Sequence, residues 1–216
     1  MPIKNLIIAE KPSVARDLAT VLGQFTSRDG YLENNKYVVT WAIGHLVELA
    51  EPDDYDAQLK KWDLNTLPII PSQFKLKAAP KTAKQFKIVK QLVNRADIEQ
   101  LICATDAGRE GELIFRYIYR LAGCRKPFMR LWLSETTPAA VKKGFKDLRP
   151  GTEFNHLAAA AEARSRADWL IGINGTRSFT VRHNNLLSIG RVQTPTLALI
   201  VNREREIKNF VPEPYW

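Results

Sequence analysis

The chain has 216 residues, 45% of them hydrophobic, and carries 32 Lys+Arg against 23 Asp+Glu, a formal net charge of +9 with a pI of about 9.6. That length suits one large domain or two small ones; no apolar run approaches the ~18 residues that span a membrane, and the start, Met-Pro-Ile-Lys-Asn, lacks the apolar core of a signal peptide. Two cysteines, Cys103 and Cys124, supply neither a disulfide framework nor metal-like spacing, so a reducing cytoplasm is the simplest compartment, and the positive balance favours a polyanionic partner with nucleic acid first among the candidates.

In chain order, Asn5 to Ala9 reads as a strand. Ser13 is positioned to cap a helix whose apolar face is Val14, Leu18, Val21 and Leu22 and whose stop is Gly23. Tyr37 to Ile43 is strand-like, rich in β-branched and aromatic residues, and ends at Gly44-His45. From Ala50 to Pro80 the prolines at 52, 68, 71 and 80 and the lack of periodicity predict a long surface excursion. Thr82 to Arg95 has helical spacing. Leu101 to Thr105 is the next strand and Glu110 to Leu121 the next helix, followed by a strand over Met129 to Leu133 and a helix over Pro138 to Leu148. Strands alternating with helices predict an α/β fold with a mostly parallel sheet flanked by helices. Arg149-Pro-Gly-Thr152 breaks the pattern, and the remainder of the chain is mainly helical: an Ala-rich stretch over Leu157 to Leu170, then a helix from Thr194-Pro195 to Lys208. The expected domains are therefore 1–150 and 151–216. The extended Phe210 to Trp216 stops just as a strand begins, which suggests a truncated chain.

Two apolar runs end abruptly in acid. Leu6-Ile7-Ile8 leads to Glu10, and Leu101-Ile102-Cys103 leads to Asp106 and Glu110. In open parallel sheets, sites lie just beyond the carboxyl ends of the strands, so these three acids are candidates to meet at one edge. Hard oxygen ligands with open positions suit Mg²⁺ beside a phosphate. The alternative for Asp106 and Glu110 alone is an acid pair complementing a helix dipole; Glu10 at a second strand end tips the balance toward a site. Lys11 is placed to stabilise phosphate charge, or is a solvated lysine at a helix start. His45, just past a strand, is a candidate contact to substrate or to a site acid.

The second half has its own pattern. Glu162-Ala-Arg-Ser-Arg-Ala-Asp-Trp-Leu-Ile-Gly172 puts Arg164 and Asp168 four apart. That is either a surface ion pair worth ~0.3–0.5 kcal/mol or an arginine held by Asp168 and aimed at phosphate. Ser188-Ile-Gly190-Arg191-Val-Gln193-Thr194-Pro-Thr196 is rich in donors and leads into a helix, a plausible phosphate cradle or an ordinary capping loop.

Taken together, Ile8-Ala-Glu-Lys-Pro-Ser13, Gly44-His45-Leu46 and Ala104-Thr-Asp-Ala-Gly-Arg-Glu-Gly-Glu112 resemble a toprim domain. The two later segments resemble type IA DNA topoisomerases, with the bacterial topoisomerase III branch nearest. The resemblance covers essentially the whole chain. It implies a Rossmann-like toprim domain over 1–150 and the first part of a helical DNA-binding domain over 151–216. It also implies cleavage and resealing of single DNA strands through a 5′-phosphotyrosine, dependent on Mg²⁺ and independent of ATP, in a nucleoid-associated cytoplasmic enzyme. By the same resemblance Glu10 and Lys11 are catalytic, Glu10, Asp106 and Glu110 hold the metal, and His45, Arg164, Asp168, Ser188, Gly190, Arg191, Gln193 and Thr194 contact single-stranded DNA. No Gly-x-x-x-x-Gly-Lys-[Ser/Thr] loop for ATP occurs, and physiological protein partners are not legible.

Two departures stand out. Toprim sequences usually show Asp-x-Asp-x-Glu, whereas Gly108 takes the place of the second Asp here, and Glu112 is a poor substitute because i+2 on a helix points elsewhere. The family's nucleophilic tyrosine lies in a Tyr-Pro-Arg-Thr-like segment, and none of Tyr31, Tyr37, Tyr55, Tyr117, Tyr119 or Tyr215 has that context. The 216 residues alone are therefore expected to be inactive. The rival readings are a toprim metal-dependent nuclease or primase, and a DNA-binding module without chemistry.

Overall fold

A computed structural model of the chain describes residues 3–216. In chain order its strands are β1 (Lys4–Ala9), β2 (Thr26–Arg28), β3 (Tyr31–Glu33), β4 (Tyr37–Trp41), β5 (Val47–Leu49), β6 (Leu76–Ala78), β7 (Ile98–Ala104), β8 (Phe128–Arg130) and β9 (Arg149–Pro150). The α-helices are α1 (Pro12–Leu22), α2 (Ala83–Val93), α3 (Arg109–Leu121), α4 (Pro138–Lys146), α5 (Asn155–His183) and α6 (Gln193–Lys208). Contacts divide the chain into two units that do not follow a single cut: residues up to Ala50 with Lys75–Ala163, and Glu51–Phe74 with Arg164–Trp216.

The first unit is built on a seven-stranded sheet in the order β2-β3-β4-β1-β7-β8-β9. The central four strands are parallel, and the outer ones are antiparallel additions. Leu6, Ile7, Ile8 and Ala9 are all fully buried, because helices cover both faces; this is why β1 reads as an unbroken apolar run rather than an alternating one. On one face Ile7, Ala9, Val39, Ile102, Ala104 and Leu131 pack with Ala15 and Leu18 of α1 and Val141 of α4. The alternate residues face the other way, toward the side where α2 and α3 meet and bury Phe86, Val89, Phe115 and Ile118.

The expected alternation of strands and helices is present, with differences at its edges. Helix α1 starts at Pro12 with Lys11 as its N-cap, and no side chain caps it; proline at the first helical position displaces the expected Ser13 cap by two residues. The strand expected over Met129–Leu133 leaves the sheet after Arg130, where Trp132 stacks on Phe154 with ring centroids 5.3 Å apart. Arg149-Pro150, expected only to break the pattern, pairs with Arg130 and Met129 as an edge strand, the one kind of sheet position that tolerates proline. The β2–β3 hairpin and the small β5–β6 sheet are too short to have shown a period.

In the second unit the proline-rich excursion is ordered rather than loose. It winds through three short 3₁₀ turns, Pro52–Asp54, Ala57–Lys60 and Leu64–Thr66, the last two capped by the carboxylates of Asp56 and Asp63. Trp169 of α5 meets Tyr55 and Phe74 edge-on. The Asn174 amide exchanges hydrogen bonds with the backbone of Ile69, accepting at 2.6 Å and donating at 3.0 Å, and the Arg177 guanidinium donates to the Leu59 carbonyl at 2.6 Å. Helix α6 buries none of its residues.

Candidate functional site

Glu10 is the first residue after β1, and Thr105-Asp106 follow β7. The two strands are neighbours, with Ala9 opposite Ala104, so both ends emerge at one sheet edge. From β1 the chain crosses through α1 to β4 on one side, and from β7 it crosses through α3 to β8 on the other. The crevice between β1 and β7 is therefore the switch point of the sheet, the place where open α/β folds put their sites.

In that crevice the backbone N–H of Asp106 donates to Oε2 of Glu10 at 3.0 Å. Glu10 is only 9% exposed, whereas Asp106 is exposed. Burial pushes the Glu10 carboxyl above its ordinary range, and the neighbouring Asp106 carboxylate adds to the rise; the Asp106 N–H and the Lys11 charge work in the opposite direction. Lys11 itself is exposed.

The third expected acid is oriented differently. Glu110, in the first turn of α3, is exposed, and its Oε1 lies 2.6 Å from Nε2 of His45, which is exposed too. His45 follows Gly44, whose φ of +66° is in the left-handed region that glycine occupies without strain. The Thr82 hydroxyl donates to the His45 carbonyl at 3.2 Å. Among the described residues no three of His, Cys, Asp and Glu lie close enough together to enclose a metal ion. The acids form two pairs, Glu10 with Asp106 and Glu110 with His45.

Magnesium asks for less than a closed cage. It binds through one or two carboxylates and keeps several of its waters. Glu10 beside Asp106 fits that demand, because the Asp106 carboxylate that raises the affinity of Glu10 for a proton also favours a cation there.

Beneath the acids is a layer that the sequence pattern did not reveal. Arg130 has no exposed surface, and its guanidinium donates to the carbonyls of Cys103, Thr105 and Leu131 at 3.1, 2.8 and 3.1 Å and to that of Asp106 at 2.6 Å. Its charge is balanced by Glu112, also fully buried, whose Oε2 is 3.2 Å from Nε of Arg130 and whose Oε1 accepts from Arg116 at 2.8 Å. Glu112 thus points away from the site edge, as its i+2 position predicts, and into the interior. Gly111 completes the layer. The Thr105 hydroxyl donates to its carbonyl at 2.7 Å, and a Cβ at Gly111 would lie 2.2 Å from the Asp106 carbonyl oxygen; only glycine lets α3 approach the Asp106 turn so closely. The available signals were an arginine inside the otherwise apolar Phe-Met-Arg-Leu-Trp-Leu and a glutamate ahead of Leu113-Ile114-Phe115.

The second unit contains the other candidates. Arg164 and Asp168 pair as their spacing predicts, but loosely, at 3.8 Å; the close partner of Asp168 is Arg191, at 2.7 Å. Those two are 23 residues apart in sequence, beyond the reach of a helical-spacing argument. The expected backbone cradle is partly spent. The N–H groups of Leu187, Ile189 and Gly190 are accepted by the hydroxyls of Thr180, Thr176 and Thr194. The donors presented outward are the side chains of Arg191 and Gln193, with Ser188 beside them. Asp168, Gly190, Arg191, Val192, Gln193 and Thr196 border a cavity of about 600 Å³.

Comparison with known proteins finds two family matches along the chain. The Toprim domain family matches residues 5–136, and a DNA topoisomerase family matches residues 152–216. The chain is 53% identical to DNA topoisomerase 3 of Shouchella clausii, over 98% of this chain and 29% of that protein. It is likewise 53% identical to DNA topoisomerase 3 of Staphylococcus saprophyticus, over 99% of this chain and 30% of that protein. The full-length topoisomerase I of Thermotoga maritima superimposes with a TM-score of 0.65 at 26% identity, covering 96% of this chain and 31% of that one. The chain thus spans about three tenths of the length of the relatives it matches.

Proposed function

The chain belongs to the toprim family, and from that premise we propose that it is the N-terminal part of a type IA DNA topoisomerase of the topoisomerase 3 kind, acting on single-stranded DNA in the cytoplasm at the nucleoid. The observation that carries this reading is the Glu10–Asp106 pair at the switch point of the sheet.

In the proposed reaction a tyrosine hydroxyl gives up its proton to solvent and attacks the phosphorus, the P–O3′ bond breaks, and a 5′-phosphotyrosyl bond forms while the 3′ oxygen takes up a proton. Religation reverses each step. Because the covalent bond conserves the energy of the phosphodiester, no ATP is required. Glu10, buried and with a raised affinity for its proton, is suited to hand that proton to the departing 3′ oxygen and to take it back on religation. Lys11 stands at the start of α1, next to Glu10, and stabilises charge on the phosphate. Glu10 and Asp106 would hold Mg²⁺, which when bound neutralises phosphate charge and positions the ends for resealing, while the expected third ligand, Glu110, is turned onto His45 instead. His45 orients Glu110. Arg191, Gln193, Ser188 and Arg164 grip the strand, with Asp168 fixing the Arg191 guanidinium, and Gly190 and Thr194 shape the loop through the hydrogen bond between them. None of the tyrosines of this chain precedes a Pro-Arg-Thr sequence, so the nucleophile comes from the part of the longer protein that these residues do not cover.

Relaxation of supercoiled plasmid with Mg²⁺ tests the reading. The full-length protein relaxes DNA and is trapped as a covalent protein–DNA complex, Glu10→Gln loses both activities by orders of magnitude, and the 216 residues alone do neither. Wild-type activity in the full-length Glu10→Gln protein, or tyrosine-linked relaxation by the 216 residues, would overturn it.

A further inference from the structure

Between Asp63 and Asp97 the chain contains no acidic residue, yet it carries Lys75, Lys77, Lys81, Lys84, Lys87, Lys90 and Arg95. Four of these recur every third residue along α2 and the turn that leads into it. Lys81, Lys84, Lys87 and Lys90 are all exposed, while Phe86, Val89, Leu92 and Val93 on the opposite side are buried against the sheet. Binding of the helix to its own sheet needs none of the lysines. Lys84 lies 3.0 Å from Asp29, but both side chains are more than three-quarters exposed, so that pair holds little.

The row has a definite place. Thr82, at the start of α2, donates to the carbonyl of His45, whose ring meets Glu110. The lysines therefore begin beside the site edge. They run down the flank of the first unit for the length of an 11-residue helix, roughly 16 Å.

We propose that this row is a second binding track, for the phosphate backbone of duplex DNA flanking the strand engaged at the site; the inference rests on the functional reading above. Charge selects a polyanion, and the rest of the exposed surface selects the duplex. Single-strand surfaces combine positive charge with aromatic platforms for unstacked bases. The exposed positions of α2 and its C-terminal cap are lysines with Ala83, Gln91 and Asn94, and none is aromatic. Such a surface can hold backbone whose bases are already stacked inside a duplex, without reading sequence.

The test is the salt dependence of binding by the 216-residue chain to two probes, a short blunt-ended duplex and an oligothymidylate. In Lys81→Gln/Lys87→Gln/Lys90→Gln the slope of log affinity against log salt for the duplex flattens by about 0.9 per lost contact, and the oligothymidylate slope stays as in wild type. A control, Lys142→Gln/Lys143→Gln/Lys146→Gln, removes the same number of charges from α4 and leaves the duplex slope unchanged. Thermal melts of both variants match wild type, because none of these side chains is buried. An unchanged duplex slope in the α2 variant, equal losses for both probes, or an equal loss in the α4 control overturns the track. If that happens while full-length Glu10→Gln has lost relaxation, only the track fails; a wild-type chain that binds neither probe defeats the track, and the relaxation assay then judges the functional reading separately.

Discussion

Glu112 and Arg130 face one another without any exposed surface, Oε2 3.2 Å from Nε, directly beneath the turn that carries Asp106. The pair links α3 to the ends of β7 and β8, and through the Thr105 carbonyl it holds the peptide whose N–H, that of Asp106, reaches Glu10. A buried ion pair adds little net stability over apolar packing, but breaking one strands a charge.

Glu112→Ala is therefore expected to lower stability by about 3–5 kcal/mol in urea unfolding of the 216-residue chain. Arg130→Met combined with Glu112→Leu removes both charges yet remains well below wild type, because the carbonyls of Thr105 and Asp106 lose this donor. A double variant as stable as wild type would show that the carbonyl contacts contribute nothing.

The raised proton affinity of Glu10 has a sign that thermal melts can read. A group whose folded-state pKa lies above its unfolded value stabilises the fold fully below the unfolded pKa, and that contribution is lost as pH rises through the folded pKa. At neutral pH the buried Glu10 carboxylate is thus a liability. Glu10→Gln is expected to melt higher than wild type at pH 7, with the gain shrinking as pH falls through the raised Glu10 pKa and into the ordinary glutamate range. A gain that does not depend on pH would point to packing instead.

Gly108 and Gly111 are expected to behave oppositely. Gly108 has an extended backbone, φ 174°, and a Cβ there meets nothing within 4 Å. Gly108→Asp should fold like wild type and, by adding a carboxylate next to Asp106, bind Mg²⁺ more tightly in calorimetric titration. Gly111→Ala drives a methyl into the Asp106 backbone and should destabilise by several kcal/mol, in the range of severe backbone clashes. If Gly108→Asp folds and binds Mg²⁺ no better, the metal does not sit at this turn.

Arg191→Ala should flatten the salt slope for single-stranded DNA by about 0.7, the loss of one phosphate contact, with no change in base preference. Asp168→Asn should weaken binding less, since it frees the guanidinium from its partner at 2.7 Å without removing it. A slope unaffected by Arg191→Ala would exclude this loop from the backbone contacts.

The alternation of strands and helices over the first 148 residues is legible in the amino-acid order alone. Strands buried on both faces must be continuously apolar, and amphipathic helices must repeat every three to four residues. Leu6 to Ala9, Leu101 to Ala104 and the α3 stripe carry those signals without reference to anything distant. The same local pattern marks Glu10, Asp106 and Glu110 as acids just beyond strand ends. Which acids meet is a matter of long-range pairing: the parallel alignment of β1 with β7 joins Glu10 to Asp106 across 96 positions, while the loop after β4 turns His45 onto Glu110. The same holds for Arg130 under the site, for Arg191 on Asp168, and for the proline-rich excursion gathered around Trp169. Each depends on contacts between segments far apart in the chain, and neither periodicity nor spacing records those.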